Sequence, residues 1–152
     1  MPASGSQPLR LVLDTIVVVA GLFWNGPPRR LIELAIEGQA VELFSSPMLL
    51  DELLHTLGYS KFAGRIESFG TSIAALMAQY TGLVTLVAPA SVPRVVANDA
   101  DDDHVIAAAV AARAELIVTG DRKHLLPIGS HHGIAIVTAR ELVDRLDARL
   151  KT

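Results

Sequence analysis

The chain has no cysteine among its 152 residues, which excludes disulfide bonds and thiolate metal ligands. It also lacks an excess of positive charge, because 16 aspartate and glutamate residues outnumber 13 lysine and arginine residues. The formal net charge of -3 differs from the strongly basic balance of many nucleic-acid-binding proteins. Any contact with a nucleic acid must therefore depend on a local group of basic side chains.

Long hydrophobic runs are missing as well. The longest uninterrupted runs stop at about eight residues, whereas a membrane-spanning helix needs ~20. The first ten residues, MPASGSQPLR, have no apolar core of the kind that a signal peptide requires. Since the absence of cysteine also fits a reducing compartment, we expect a cytoplasmic protein with no membrane segment.

Apolar residues are abundant. They make up 51% of the sequence, against 19% charged residues, which is the balance of a folded domain rather than of a disordered chain. The length fits one domain. Residues 1–8, MPASGSQP, are small and polar, so we expect a flexible N-terminal tail before a single folded domain at 9–150.

Short apolar segments alternate with longer segments of helical spacing. We expect strands at 10–13, 41–44, 83–87, 115–119 and 134–137, and helices at about 17–24, 29–38, 47–57, 62–80, 105–112 and 139–150. This alternation predicts an α/β fold, with a mostly parallel five-stranded sheet flanked by helices.

Two helix starts carry specific signals. Ser46 followed by Pro47 is typical of an N-cap and a first helical residue. Thr138, with Glu141 three residues later, is typical of a capping box. Helices should therefore follow the second and the last strand without a long connection.

Acidic residues stand at three places that a parallel sheet would bring together. Asp14 ends the first strand, Asp121 follows the fourth, and Asp103 opens the helix between the third and fourth. Crowded carboxylates repel each other unless a cation neutralises them, and oxygen ligands favour a hard cation such as Mg²⁺ or Mn²⁺. Such a centre can hydrolyse a phosphodiester by activating water and stabilising the charge that develops on phosphate.

Each acid also has a simpler interpretation. An acid in a loop or at a helix start is commonly a solvated cap, and we keep that interpretation for Asp99, Asp101 and Asp102. On the helix at 47–57, Asp51 and Glu52 flank a leucine stripe on its two sides. The pattern alone does not choose between these two acids.

Several other kinds of site can be weighed against the sequence. The first strand is followed by no glycine until Gly21, and no GK[ST] motif occurs, so nucleotide-binding sites of the Rossmann and Walker kinds are not expected. An aspartyl-phosphate enzyme would need an acid at Ile16. The pair His131–His132 is interpreted as part of a solvated loop. The candidate phosphate contacts are Arg29, Arg30, Lys61, Arg65, Arg94, Arg122 and Lys123.

Four segments follow one another in a distinctive order. They are LVLDT at 11–15, SPMLLDELLHTL with YSKF at 46–62, DDDHVIAAAVAARAELIVTGDRKHLL at 101–126, and IAIVTARELVDRL at 134–146. In this order and spacing they resemble the PIN-domain ribonucleases, specifically the toxin component of bacterial toxin/antitoxin pairs. The similarity extends from residue 9 to about residue 150.

The resemblance implies a set of site residues. The acids of the family fall on Asp14, Glu52, Asp103 and Asp121, which would bind Mg²⁺ or Mn²⁺, and the hydroxyl of Thr119 would lie near the metal. Asp103 is chosen because it stands three residues before Ile106 in a DxxI pattern, and Glu52 by its place in an SPxxLxE pattern.

The resemblance also implies a function. It predicts a metal-dependent endoribonuclease that acts as a growth-inhibiting toxin, forms a homodimer, and is blocked by a cognate antitoxin protein. One position departs from the family, because Ile16 stands where the usual DTN motif has asparagine. The alternative hypothesis is therefore a catalytically impaired PIN fold that serves as a protein- or RNA-binding module.

Overall fold

The computed structural model describes residues 7–89 and 100–150, the second range without the side chains of residues 100, 101 and 150. Most of the tail predicted at 1–8 lies outside these residues. So do Arg94, Asp99, the side chain of Asp101 and most of the connection after the third strand. Within the described part, no helix combines the length and apolar character needed to cross a bilayer.

The described residues form strands and helices that alternate along most of the chain. The strands are β1 (Leu9–Leu13), β2 (Val41–Ser45), β3 (Val84–Leu86), β4 (Leu116–Val118), β5 (Ser130–His131) and β6 (Ile134–Val137). The helices are α1 (Thr15–Phe23), α2 (Pro27–Glu37), α3 (Pro47–Leu57), α4 (Ala63–Ser68), α5 (Ile73–Thr81), α6 (Ala100–Ala112) and α7 (Ala139–Leu150). Short 3-10 turns lie at Ser60–Phe62 and Leu126–Ile128.

The strands form one sheet in the order β3-β2-β1-β4-β6-β5. All neighbours are parallel except β5 and β6, which form an antiparallel hairpin. Val118 pairs with Leu13 on one side and with Val137 on the other, so the carboxyl ends of β1, β4 and β6 lie level. The predicted α/β fold with a mostly parallel sheet is confirmed.

The sheet has one strand more than the five predicted. The additional strand, β5, has only two residues at the sheet edge. It pairs with β6 through a turn in which His132 and Gly133 adopt positive φ angles of 51° and 81°. A two-residue strand has no periodicity of its own, and this is why the sequence pattern did not reveal it.

Both faces of the sheet are covered. Leu11 and Leu13 point into one apolar core with residues of α1, α2, α3, α5 and α7, while Val12 points into a second core with residues of α6. The alternation along β1 follows from the two-residue period of a strand. Burial on both faces is the usual condition of a parallel sheet, and it leaves the carboxyl edge as the place for polar groups.

The prediction of a single helix at 62–80 is wrong. Phe62 ends the 3-10 turn at Ser60–Phe62, and two separate helices, α4 and α5, follow it. Gly70 adopts a left-handed φ of 64° between them, which continuous helix does not allow. Ser72 then caps α5, because its hydroxyl accepts a hydrogen bond from the Ala75 amide at 3.1 Å.

The two helix starts predicted from capping signals are confirmed. The Ser46 hydroxyl accepts a hydrogen bond from the Leu49 amide at 3.3 Å, and Pro47 is the first residue of α3. Thr138 and Glu141 form a reciprocal capping box, in which the Glu141 amide donates to the Thr138 hydroxyl at 3.1 Å. The cap of α3 orients the helix that carries Glu52.

Candidate metal centre

A cavity of about 420 Å³ opens at the carboxyl edge of the sheet. Its lining includes Asp14, Glu52, Asp102 and Asp121, which come from four different parts of the chain. Three of the four acids predicted for the site therefore meet at one cavity. Asp103 is not among the described residues that line it.

Asp14 lies at the junction of β1 and α1. It is the N-cap of α1, with Oδ1 accepting a hydrogen bond from the Thr15 amide at 2.8 Å, so α1 begins two residues earlier than expected. Its own amide donates to the Val118 carbonyl at 2.9 Å, which ties this junction to β4. A carboxylate at this end of a helix is stabilised by the helix dipole.

Thr119 connects two of the acids. It is buried directly after β4, and its hydroxyl donates to Oδ2 of Asp14 at 2.7 Å. The hydroxyl oxygen of Thr119 also accepts a hydrogen bond from the Asp121 amide at 3.0 Å. The position that the resemblance placed near a metal therefore holds the Asp14 carboxylate and the backbone of Asp121 in a fixed relation.

We expect Thr119→Val to weaken the site without changing its shape. The substitution preserves volume but removes the hydroxyl that bonds a buried carboxylate oxygen and an amide, which costs about 1–3 kcal/mol of the free energy of unfolding. Loss of a group that orients a metal ligand lowers metal affinity or activity by roughly 10–100-fold. Thermal melting and a Mn²⁺ titration would measure both effects. Thr119→Ser, which retains the hydroxyl, is the matched control, and equal losses in the two variants would contradict this role.

Asp121 is held by the loop that follows it. Its Oδ1 accepts hydrogen bonds from the amides of Lys123 at 3.0 Å and His124 at 2.9 Å, and its Oδ2 lies 3.5 Å from Nδ1 of His124. Burial raises the pKa of Asp121, but the hydrogen bonds with Asp102, His124 and Lys123, together with the charge of His124, hold the pKa below its ordinary value. Asp121 is therefore ionised at neutral pH.

The carboxyl groups of Asp102 and Asp121 lie close together at the cavity. Two carboxylates this close repel each other unless a cation neutralises them. Asp102, Asp121 and His124 each present a ligand atom, all within 4.8 Å of one another. The residues present thus fit a divalent cation, and the oxygen-rich donor set favours Mg²⁺ or Mn²⁺.

Asp102 was expected to be a solvated cap, and that expectation is wrong. It lies in the first turn of α6, only 6% exposed, and lines the cavity. Asp103 is 1% exposed. Neighbouring residues of a helix point about 100° apart, so the two acids face different surroundings. The choice of Asp103 as a metal ligand stays a prediction that rests on the family pattern.

The positions of Glu52 and Ile16 bear on two questions that the sequence left open, which acid of α3 faces the site and whether residue 16 lies in the core. Glu52 lines the cavity, and Thr56, one turn later on α3, lines it too, whereas Asp51 is exposed. Ile16 also lines the cavity and is 63% exposed, so it does not belong to the core. The position that departs from the family pattern therefore lies at the candidate site.

The basic residues are distributed unevenly around this edge. Among the predicted phosphate contacts, Lys61 lines the cavity. Arg29 and Arg30 instead lie near Glu33 and Glu37 of their own helix, at 3.9 and 3.7 Å.

The rings of His131 and His132 contact each other in the β5–β6 hairpin, with centroids 4.2 Å apart. Sequence reasoning passed over His124, whose relation to Asp121 depends on a turn with no distinctive spacing.

Comparison with known proteins agrees with this geometry. A family model described as PIN domain matches residues 10–123, which is most of the chain and includes all four cavity acids. No curated protein matches the chain significantly. PIN domains are generally metal-dependent nucleases, and the acid-lined cavity at the carboxyl edge is suited to that chemistry. The chain belongs to the PIN-domain family.

Proposed function

We propose that this protein is a metal-dependent endoribonuclease that hydrolyses RNA at the acid-lined cavity. The observation that carries the proposal is the convergence of Asp14, Glu52, Asp102 and Asp121 on one cavity. Such a concentration of carboxyl groups is costly without a cation to neutralise it. The match to the PIN-domain family model supports the same assignment.

In this proposal each acid has a defined role. Asp14 and Asp121 hold Mg²⁺ or Mn²⁺ together with Asp102 or, as the family pattern predicts, Asp103. Glu52, which enters from α3, completes the cluster by binding the metal or orienting water. When bound, the ion would activate water and stabilise the charge that develops on phosphate.

The remaining groups position the acids and the substrate. Thr119 holds the Asp14 carboxylate through its hydroxyl, and the Lys123 and His124 amides hold that of Asp121. Lys61 is exposed at the cavity and can contact a phosphate of the strand. Preorganised groups of this kind lower the cost of binding the transition state.

Cleavage of a mixed RNA pool tests the proposed reaction. We expect Mn²⁺-dependent fragments that disappear when EDTA is added. Intact RNA under all metal conditions would favour the alternative of a binding module without catalysis. Ile16 is the observation that favours this alternative, because a hydrocarbon occupies the position of the usual asparagine at the cavity.

We further propose that the protein acts in the cytoplasm as the toxin of a toxin/antitoxin pair. The antitoxin would place a basic side chain among the cavity acids, where a charge-assisted hydrogen bond is strong. Induced expression should then arrest growth, while expression of Asp121→Asn should not. Equal arrest by both proteins would show that toxicity does not depend on the cavity.

A homodimer is the expected state of the isolated protein. Ile36 and Phe69, which are 60% and 47% exposed, flank a groove beside α2. Clustered exposed apolar side chains mark interfaces. Light scattering should give a mass twice that of the chain, which is 16.2 kDa. A monomer at tens of micromolar would contradict the dimer.

Ile16→Asn should raise the metal-dependent rate at saturating RNA. An asparagine there can donate a hydrogen bond to a neighbouring carboxylate or a water molecule, and Ile16 cannot. Such a bond to a charged group contributes roughly 1.5–3 kcal/mol, which corresponds to about a ten- to hundred-fold gain if it acts on the transition state. The gain should be largest at low Mn²⁺, because the hydrocarbon disfavours ionised acids nearby.

Val110→Asn is the matched control, since Val110 is also exposed, at 46%, but lines neither the acid-lined cavity nor the groove beside α2. It should leave the rate unchanged. Unchanged rates and metal affinities in both variants would show that another group has taken over the asparagine role.

A further inference from the structure

A second, mostly apolar cavity adjoins the acid-lined one. It measures about 410 Å³ and runs along α1 to Ala20 and Trp24, within the range of about 300–1,000 Å³ typical of ligand sites. The two cavities share four lining residues, Ile16, Val19, Lys61 and Phe62. We call this second cavity the α1 groove. Because of the shared residues, the two spaces lie side by side on the surface.

The α1 groove has a fixed cation on its wall. Nε and Nη2 of Arg65 donate to the Phe23 carbonyl at 3.1 and 2.7 Å. Its guanidinium carbon lies 4.8 Å from the ring centroid of Trp24 and 5.1 Å from that of Phe69. These contacts hold the cation in place before any ligand binds, so little side-chain entropy remains to be lost. Lys61 adds a second positive charge at the shared wall.

We infer that the α1 groove binds a nucleotide of single-stranded RNA next to the bond that is cleaved, with its base against Trp24 and its phosphate near Lys61 and Arg65. This inference rests on the proposed ribonuclease function, because it extends the same strand from the acid-lined cavity. An apolar or aromatic surface beside fixed cations is the combination that single-stranded nucleic acids recognise. A base in a duplex is stacked and cannot enter such a groove.

RNA explains the groove better than a protein partner does. The groove adjoins the cavity where we place the phosphodiester that is cleaved. The nucleotide next to that bond can therefore lie in the groove. Lys61 and Arg65 supply the positive charges that a phosphate of this strand would need. A protein partner that places a basic side chain among the acids would bring its positive charge close to Lys61 and Arg65, whereas these two cations suit a phosphate.

Trp24 provides a direct readout, because it is the only tryptophan in the chain. We would titrate the protein with a short single-stranded RNA in Ca²⁺, an ion that also takes oxygen ligands, and follow tryptophan emission. Stacking of a base should quench the emission to saturation. A duplex of the same sequence should leave it unchanged.

Ala20→Glu places a carboxylate in the α1 groove without touching the acid-lined cavity. It should weaken RNA binding by about tenfold, in line with the loss of one stacked base and a nearby phosphate contact. Val110→Glu is the matched control, since it adds the same charge at an exposed position of α6 outside both cavities. Circular dichroism and melting would establish that both variants fold.

An abasic nucleotide supplies the second test. In an RNA that the protein cleaves, an abasic site on one side of the cleaved bond should raise KM by about tenfold for the wild type. Trp24→Ala has already lost the stacking surface, so the abasic site should have no further effect on it. A structural defect alone would not remove the response to the abasic site.

The outcomes separate this inference from the proposed function. Quenching of Trp24 by RNA without any cleavage would support the α1 groove and count against the nuclease. Cleavage with an unchanged Trp24 signal and no response to abasic RNA would overturn the groove and leave the nuclease standing. Equal RNA affinities of Ala20→Glu and Val110→Glu would also overturn it.

Discussion

Asp14→Asn and Asp121→Asn should each lower the rate of metal-dependent RNA cleavage by at least about 100-fold. Even groups outside the ligand shell of a metal cost roughly 10–100-fold when they are removed, and these two carboxylates would bind the ion directly. Asp14 and Asp121 are joined through Thr119, so either substitution also disturbs the other ligand. Initial rates on a labelled RNA at fixed Mn²⁺ would measure the loss.

The same variants should keep their fold. Removal of one negative charge relieves repulsion in the metal-free site, and asparagine caps a helix about as well as aspartate. Asp14→Ala is the informative contrast, because it loses the cap of α1 and should cost about 1 kcal/mol of the free energy of unfolding. If Asp14→Asn lost far more stability in EDTA than the about 1–3 kcal/mol expected for its bond with Thr119, its carboxylate would be structural and not a metal ligand.

Asp102→Asn should lower the rate of RNA cleavage about as much as Asp14→Asn and Asp121→Asn do. Its effect should be larger than that of Asp103→Asn. Asp102 lines the cavity and presents a ligand atom within 4.8 Å of one on Asp121, whereas Asp103 is buried and is not among the described residues that line the cavity. The family pattern predicts the opposite order. Mn²⁺ affinity and cleavage rate, measured for both variants, would decide which acid binds the ion.

An acid remote from the cavity controls for the change in net charge. Asp144 is exposed on α7, and Asp144→Asn should leave both the rate and the Mn²⁺ affinity unchanged. A large loss in Asp103→Asn with an unaltered melting temperature, and little change in Asp102→Asn, would contradict the placement of Asp102 in the site.

The fold could be predicted largely because its signals are local. Ser46–Pro47 and the Thr138–Glu141 box start helices through contacts within one turn, and the short strands carry continuous apolar runs. The break between α4 and α5 could not be predicted as easily. A single Gly70 is tolerated inside many helices, and only its positive φ here shows that it ends one.

The candidate site was less predictable for a different reason. Asp14 and Asp121 follow central strands, so the parallel order of the sheet is enough to bring them to one edge. Asp102 and Asp103 are adjacent on α6, and the choice between them depends on how that helix is rotated about its axis. The alanine, valine and isoleucine residues of α6 lie on most sides of the helix. Its sequence therefore has no clear apolar stripe that would fix the rotation. Packing against the sheet fixes it instead.

The central claim is that the acid-lined cavity is the metal-dependent nuclease site, and a Mn²⁺ titration tests it most directly. EDTA-treated wild-type protein and Asp121→Asn, purified in parallel, would be titrated with Mn²⁺ while calorimetry records binding and a gel records cleavage of a mixed RNA pool. Wild-type binding and cleavage should rise over the same Mn²⁺ range, and Asp121→Asn should show neither. Cleavage that persists in EDTA, or that Asp121→Asn retains in full, would contradict the claim.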